Sequence, residues 1–181
     1  MILIIDTSSS GIRFFLDKKY KFIETDKQSI TLPVETENFL KENNLKFSDL
    51  TAIGIVVGPG SFTGIRLGIA YVKGLCAGLK IPIIPINAFE IYLESDSDAF
   101  VAIDSGKGDF FVGAKDLEPQ IMTIEEVEKK QFDYAKTIGH KPFDLANALP
   151  IVQRKLKDNK KHVVIPLYIR ASYAEQNCKP S

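Results

Sequence analysis

The chain has 181 residues, of which 45% are hydrophobic and 25% charged, so it can bury a sizeable core and is too apolar to be mainly disordered. Lysine plus arginine and aspartate plus glutamate each number 23, and this zero net charge argues against a protein that binds nucleic acid unaided. Cys76 and Cys178 have no disulfide or metal-site spacing, and no signal peptide or membrane-spanning run is evident, so we expect a cytoplasmic protein.

The first third of the chain predicts a β-meander followed by a helix. Residues 2–5, 12–16 and 20–25 are rich in β-branched and aromatic residues, and the Ser-Ser-Ser-Gly sequence at 8–11 is typical of a turn. Pro33 suits the first turn of a helix that runs to about residue 43, with Phe39 and Leu40 as its apolar anchors.

The middle of the chain alternates strands and helices. A buried strand is predicted at 52–57, a glycine-rich loop at 58–64, a long helix at 62–79, a strand at 81–86 and a short helix at 88–93. The acidic, polar stretch at 94–98 then marks a lobe boundary. We therefore divide the chain into a first lobe at residues 1–97 and a second lobe at residues 98–181.

The second lobe begins with an internal repeat. Residues 100–105 resemble residues 2–7, because both carry four apolar residues, an aspartate and a hydroxyl residue before a glycine-bearing turn and a second apolar strand. The match indicates a duplicated lobe led by a β-hairpin. The rest of this lobe is abbreviated: a helix at 124–130, a strand at 134–138, a helix at 143–156, a closing strand at 163–170 and a loose polar tail at 175–181.

Three interpretations compete for the glycine loop. A Walker A phosphate loop is excluded because Gly64 is followed by Ile65 and Arg66 instead of Lys and Ser or Thr. A dinucleotide fingerprint is weak because the third glycine comes one place late. The remaining interpretation is structural, with glycines permitting a sharp turn and Ser61 or Thr63 capping the helix, and phosphate binding at the helix N-terminus is its main alternative.

The helix after the loop carries two rows of residues. An apolar seam recurs at helical spacing: Ile65, Ile69, Val72, Cys76 and Leu79. Beside it runs a row with small residues, made of Gly64, Gly68, Tyr71, Leu75 and Gly78. Glycine inside a helix costs roughly 1 kcal/mol relative to alanine, so the second row must serve close packing, either within the lobe or against another subunit.

Four separated segments form an ordered set of landmarks. They are Ile4-Ile5-Asp6-Thr7-Ser8, the G-P-G-S-F-T-G-I-R-L-G string at 58–68, Val101-Ala102-Ile103-Asp104 and Pro166-Leu167-Tyr168-Ile169-Arg170. Together they resemble the TsaB family, also called YeaZ, over nearly the whole chain. The resemblance implies an α/β protein with the actin-like ATPase (ASKHA) fold, in which two ribonuclease-H-like lobes enclose a cleft and the second lobe is here abbreviated.

The resemblance also implies a subunit without catalysis of its own. It would bind TsaD, its catalytic paralogue, and the ATPase TsaE, and would reach tRNA only through that complex. The complex transfers threonylcarbamoyl to the adenosine 3′ of the anticodon in ANN-reading tRNAs. Similar proteins contact TsaD through the helices that correspond to 34–43 and 62–79, so the partner interface is predicted at Phe39, Gly64, Gly68, Tyr71, Leu75 and Gly78. When TsaD is absent we expect a homodimer through the same helices, because exposed apolar helix surface pairs with a like patch.

A kinase of the same fold, acting on a small molecule with ATP, is the alternative. In that fold Asp6, Thr7 and Ser8 would face the metal and phosphates of a nucleotide, with Asp104 opposite. The turn lacks a second glycine, which favours a vestigial site, with ATP or ADP in the cleft or at the partner interface. No catalytic metal is expected, since His140 and His162 fall in different elements. The basic run at 154–161 suggests a solvated helix end with at most a minor tRNA contact.

Overall fold

The computed structural model describes residues 1–158 and 160–170; the predicted tail and Cys178 lie outside the described residues. The strands are β1 Ile2–Asp6, β2 Ile12–Leu16, β3 Lys19–Ile23, β4 Ala52–Val56, β5 Ile83–Ile86, β6 Phe100–Asp104, β7 Asp109–Ala114, β8 Leu117–Thr123 and β9 Thr137–Ile138. The α-helices are α1 Gln28–Glu42, α2 Phe62–Leu79, α3 Ala88–Ser95, α4 Ile124–Lys130 and α5 Ala148–Lys157.

The first sheet has five strands in the order β3-β2-β1-β4-β5. Its central strand β1 is antiparallel to β2 and parallel to β4. Successive side chains of a strand point to opposite faces, so Leu3 and Ile5 enter a core shared with α1 and α2, whereas Ile4 enters a second core shared with α3 and α5. The sheet is therefore covered by helices on both faces.

The second sheet has the order β8-β7-β6-β9 and repeats part of this plan. Its strand β6 is antiparallel to β7 and parallel to β9, as β1 is to β2 and β4. One face packs on α4 through Phe100, Val112 and Val127, and the other packs on α3 through Val101 and Phe89. The predicted duplication is thus present in the fold.

The predicted start of α1 at Pro33 is wrong. The helix begins at Gln28 and contains Pro33 in its interior. The side-chain amide of Gln28 donates hydrogen bonds to the backbone oxygens of Ser9, at 3.0 Å, and Gly11, at 2.5 Å. These bonds to the β1–β2 turn fix the first helical turn and offset the backbone hydrogen bond that proline cannot donate.

The C-terminal elements also differ from prediction. The helix predicted at 143–156 begins as an α-helix only at Ala148, and Ile151 and Val152 of α5 pack on the first sheet, so this helix belongs with the first lobe. Residues 163–170 do not form the predicted closing strand; Leu167 N–H donates one backbone bond to Val57 O at 2.8 Å, while Pro166 has no N–H to extend a ladder.

Strand β8 was not predicted from the sequence. This strand pairs with β7, with a register shift between Val112 and Ala114, and forms an edge of the second sheet. Glu118 and Gln120 are polar, and Pro119 would be incompatible with a central strand, so this segment did not indicate a strand. Proline is tolerated at the edge of a sheet, where its missing N–H faces solvent.

Candidate functional site

A cleft of about 790 Å³ separates the two sheets. The β1–β2 turn at 8–10, Arg13 of β2, the loop at 59–61 and the start of α2 line one wall. The β6–β7 turn and the loop at 139–143 form the opposite wall, and Leu167, Tyr168 and Arg170 also line the cleft. Ligands of open α/β sheets bind outside the carboxyl ends of the strands, so this cleft is the candidate ligand site.

Asp6, at the end of β1, is fully buried and its carboxylate is fully engaged. One oxygen accepts a hydrogen bond from the Ser8 N–H at 2.8 Å. The other accepts from Arg13 Nε at 2.7 Å and forms an ion pair with Nη2 of the same guanidinium. The antiparallel register places Arg13 directly opposite Asp6, so the hairpin itself brings the pair together.

Arg13 was missed by the sequence reasoning, although the signal was present. A charged residue within the apolar strand β2 must find a partner once the strand is buried, and Asp6 is the nearest carboxylate across the turn. The third guanidinium nitrogen of Arg13, Nη1, donates to Phe143 O at 3.2 Å, and the guanidinium lies 4.1 Å from the centre of the Phe143 ring. Arg13 thus links the first sheet to the loop on the opposite wall.

Thr7 fixes the start of α2 against β1. Its hydroxyl donates to Gly64 O at 2.8 Å, and Ser61 N–H donates to Ser8 O at 2.6 Å. A Cβ at Gly64 would overlap the Thr7 carbonyl oxygen, and one at Gly68 would overlap Thr7 Oγ1, so both positions require glycine. Ser61 accepts from the Gly64 N–H at 3.2 Å, which confirms the predicted helix cap.

A nucleotide held by a metal does not fit the predicted site. Among its residues, Ser8 and Asp104 line the cleft on opposite walls, whereas Asp6 and Thr7 are fully buried. A divalent cation needs carboxylate oxygens that can coordinate it, and those of Asp6 already bind Ser8 and Arg13. The positive guanidinium beside Asp6 would also repel a metal ion. In the described ranges no three metal-ligating side chains cluster.

The end of the described chain bridges the two lobes. Tyr168 stacks on Phe62 of α2 with ring centres 5.0 Å apart, and Arg66 lies 3.7 Å from the centre of the Phe62 ring. Two residues later, Arg170 forms an ion pair with Asp109 of β7. A hydrogen bond from Ser105 is the main cause that lowers the pKa of Asp109, and Arg170 lowers it further.

Half of the predicted partner interface is wrong because it is buried within the lobe. Phe39 is 3% exposed and stacks on Phe14 at a ring-centre distance of 5.4 Å. Gly64 and Gly68 are buried against Thr7, as described above. Tyr71 and Leu75 are half-buried and Gly78 is exposed, so these three remain available to a partner.

Exposed apolar side chains nevertheless lie on α1, which packs against α2. Ile30 and Val34, one turn apart on α1, are 70% and 54% exposed. On α2, Gly74 and Gly78 leave open space where side chains would otherwise stand. We call this surface the α1–α2 face and define it as Ile30, Val34, Tyr71, Gly74, Leu75 and Gly78.

The basic run at 154–161 is partly neutralised. Arg154 binds Glu94 at 2.8 Å and Lys155 binds Glu90 at 2.9 Å, so two of its cations tie α5 to α3. His162 contacts Lys155 O, whereas His140 lines the cleft, so the histidines do not meet. In the part of the chain that the structure describes, no helix is long and apolar enough to span a membrane.

The sequence is similar to known proteins over most of its length. Residues 25–148 match the family model described as TsaD, tRNA N6-adenosine threonylcarbamoyltransferase. The TsaB protein of Buchnera aphidicola (subspecies Schizaphis graminum), named for tRNA threonylcarbamoyladenosine biosynthesis, is 25% identical over 206 aligned positions that cover 99% of this chain and 96% of that protein.

Two further similarities define the extent of the match. The tRNA N6-adenosine threonylcarbamoyltransferase of Clostridium novyi is 26% identical over 125 residues, which cover 66% of this chain but only 33% of that enzyme. The solved structure of YeaZ from Pseudomonas aeruginosa superposes with a TM-score of 0.71 at 17% identity, covering 92% of this chain and 98% of that one. This structural likeness shows that the two proteins share a fold.

Proposed function

The chain belongs to the TsaB/YeaZ family, and we propose that it is the non-catalytic subunit that binds and supports a TsaD-type paralogue in threonylcarbamoyl transfer to tRNA. The family acts in the biosynthesis of threonylcarbamoyladenosine in tRNA. The step assigned to the complex is transfer to the adenosine 3′ of the anticodon in ANN-reading tRNAs. The match covers about a third of the length of the Clostridium novyi enzyme.

The α1–α2 face is the observation that carries this proposal. Ile30 and Val34 are exposed aliphatic side chains one helical turn apart, so they form an apolar stripe along α1. Such a stripe indicates a binding surface, whereas single exposed apolar residues do not. The bare backbone at Gly74 and Gly78 would let a partner helix approach closely. A TsaD-type protein that placed an apolar helix here would bury Ile30 and Val34 and the exposed parts of Tyr71 and Leu75.

The state of Asp6 supports an accessory role over a kinase role. Phosphoryl transfer relies on cations that neutralise charge developing on the phosphate, and a carboxylate already tied to Arg13 does not hold one. The zero net charge suits a subunit that reaches tRNA only through its complex. We place the complex in the cytoplasm and include a TsaE-type ATPase in it.

We also propose that the chain forms a homodimer through the α1–α2 face when TsaD is absent. An exposed apolar stripe pairs with a like stripe when no other partner covers it. The homodimer and the TsaD complex would then be mutually exclusive. Addition of TsaD should convert the homodimer to heterodimer in size-exclusion chromatography.

The proposal is tested by Val34→Asp, measured by co-purification and titration with the TsaD-type protein of the same organism. Burying Val34 contributes about 1.5–3 kcal/mol, and a buried carboxylate adds a further penalty, so affinity should fall by a factor of 10 or more. Ile124→Asp is the matched control, because Ile124 is also 54% exposed but lies on α4 of the second lobe.

Equal affinity of Val34→Asp and Ile124→Asp for TsaD would contradict the placement of the interface. Loss of tRNA modification in Asp6→Asn, with the complex still assembled, would contradict the non-catalytic role. Both variants should be compared with the unchanged chain by thermal unfolding, so that a folding defect is recognised.

A further inference from the structure

The Asp6–Arg13 pair occupies the place where a cleft aspartate could hold a cation. A buried carboxylate without compensation is costly, and it must be paired with a positive side chain or coordinate a metal. Here the compensation is built into the hairpin. Both Nε and Nη2 of Arg13 face one oxygen of Asp6, and Nη1 reaches the Phe143 carbonyl across the cleft.

The rest of the cleft carries free positive charge. Lys107, in the β6–β7 turn, and Lys141, in the loop at 139–143, line the same wall of the cleft. Neither lysine forms an ion pair with a described carboxylate. The carboxylate among the described lining residues is Asp104, and one of its oxygens already accepts from the Gly106 N–H at 2.8 Å. Arg170, at the end of the cleft, is paired with Asp109.

The hydroxyls and the apolar walls add a second kind of contact. Ser8, Ser9 and Ser10 line the cleft beside Arg13 and can donate to an anion. Aliphatic and aromatic side chains line the interior, among them Ile65, Phe111 and Leu167. A volume of about 790 Å³ with mainly apolar walls and a few convergent polar groups is typical of a small-molecule site.

We propose that Arg13 replaces a metal ion beside Asp6, and that the cleft binds a small organic phosphate with an apolar ring without any divalent cation. The ring contacts the apolar walls, and the phosphate is held by Lys107, Lys141 and the serine hydroxyls. Lysine ammonium groups are common phosphate ligands in proteins. The proposal is independent of TsaD binding, since it concerns residues outside the α1–α2 face.

The first test asks whether Arg13 stands in for a cation. Mn²⁺ binding is measured by electron paramagnetic resonance on the unchanged chain, on Arg13→Ala and on Arg13→Ala combined with Asp6→Asn. The unchanged chain should leave Mn²⁺ free, Arg13→Ala should gain one site, and the added Asp6→Asn should abolish it. Mn²⁺ binding by the unchanged chain that Asp6→Asn removes would overturn the proposal.

The second test leaves Arg13 unchanged and so remains decisive if Arg13→Ala does not fold. Equilibrium dialysis with AMP and with phenyl phosphate should give, for each probe, dissociation constants in EDTA and in Mg²⁺ that agree within about twofold, a free-energy difference of about 0.4 kcal/mol. Lys107→Ala with Lys141→Ala removes two charge-assisted contacts and should weaken binding at least about tenfold.

The matched control is Lys115→Ala with Lys129→Ala, which removes the same charge from two exposed lysines that do not line the cleft. It should bind both probes as the unchanged chain does. Binding of AMP alone would assign a nucleoside phosphate, and binding of both probes a phosphate monoester more generally. Absence of binding by both at about 1 mM probe, or binding that requires Mg²⁺, would overturn the proposal.

Discussion

Gly68→Ala tests whether the glycines at the start of α2 serve packing within the lobe. A Cβ at Gly68 would overlap Thr7 Oγ1, and it would lie 3.3 Å from Ile55 Cδ1. The Thr7 hydroxyl cannot simply turn away, because it donates to Gly64 O in the buried core. The same substitution at Gly74, on the same helix, meets no atom within 4 Å.

Gly74→Ala and Gly68→Ala are expected to change the free energy of unfolding in opposite directions. Alanine replaces glycine in a helix interior with a gain of about 1 kcal/mol, which is the whole effect expected for Gly74→Ala. At Gly68 the gain is outweighed by overpacking, about 1–3 kcal/mol, and by loss of a buried hydrogen bond, about 1–3 kcal/mol. Gly68→Ala should therefore lower the free energy of unfolding by about 1–5 kcal/mol, or roughly 2–4 °C in Tm for each kcal/mol.

The assay is urea unfolding followed by circular dichroism, with a double-mutant cycle through Thr7→Ala. Removing the hydroxyl leaves the added methyl with an ordinary contact of 3.4 Å to Thr7 Cβ, so Gly68→Ala should be nearly neutral in that background. If Gly68→Ala is as stabilising as Gly74→Ala, or equally harmful with and without the Thr7 hydroxyl, the packing argument is refuted.

Two further predictions concern titratable groups. Burial raises the pKa of the Cys76 thiol to about 11, so in a Cys178→Ser variant this thiol should react with Ellman's reagent at pH 8 only as fast as the chain unfolds; fast labelling of the folded chain would contradict its burial. Because the pKa of Asp109 is lowered in the folded chain, its contribution to stability is present above the ordinary Asp pKa of about 3.9 and is lost as the pH falls through the folded value. The stability difference between the unchanged chain and Asp109→Asn should therefore persist at pH 6 and vanish in acid, and a difference that grows on acidification would contradict this sign.

Local pattern predicted the elements that depend on local chemistry. The bounds of α2 follow from its apolar periodicity and the Ser61 cap, and those of α4 follow from Thr123 and Glu126, which form a capping box. The duplicated hairpin was visible because an aspartate ends both β1 and β6. The start of α1 was missed because it depends on bonds from Gln28 to a turn that is distant in sequence.

The candidate site was harder to predict, because burial depends on which side of a helix meets which neighbour. Gly68 and Gly78 belong to the same row in the sequence, yet one is buried against Thr7 and the other is exposed. Periodicity identifies such a row, but it does not tell where along the helix the covering strand ends.

This difference along α2 gives the helix two tasks. Its first turns are fixed to β1 by Thr7 and form part of the cleft wall, through Phe62 and Ile65. Its later turns contribute Tyr71 and Leu75 to the α1–α2 face. Since a continuous α-helix is stiff over its 18 residues, a partner bound at the later turns is held in a fixed orientation to the cleft. The close packing on Thr7 that Gly64 and Gly68 permit at one end would therefore position a partner at the other.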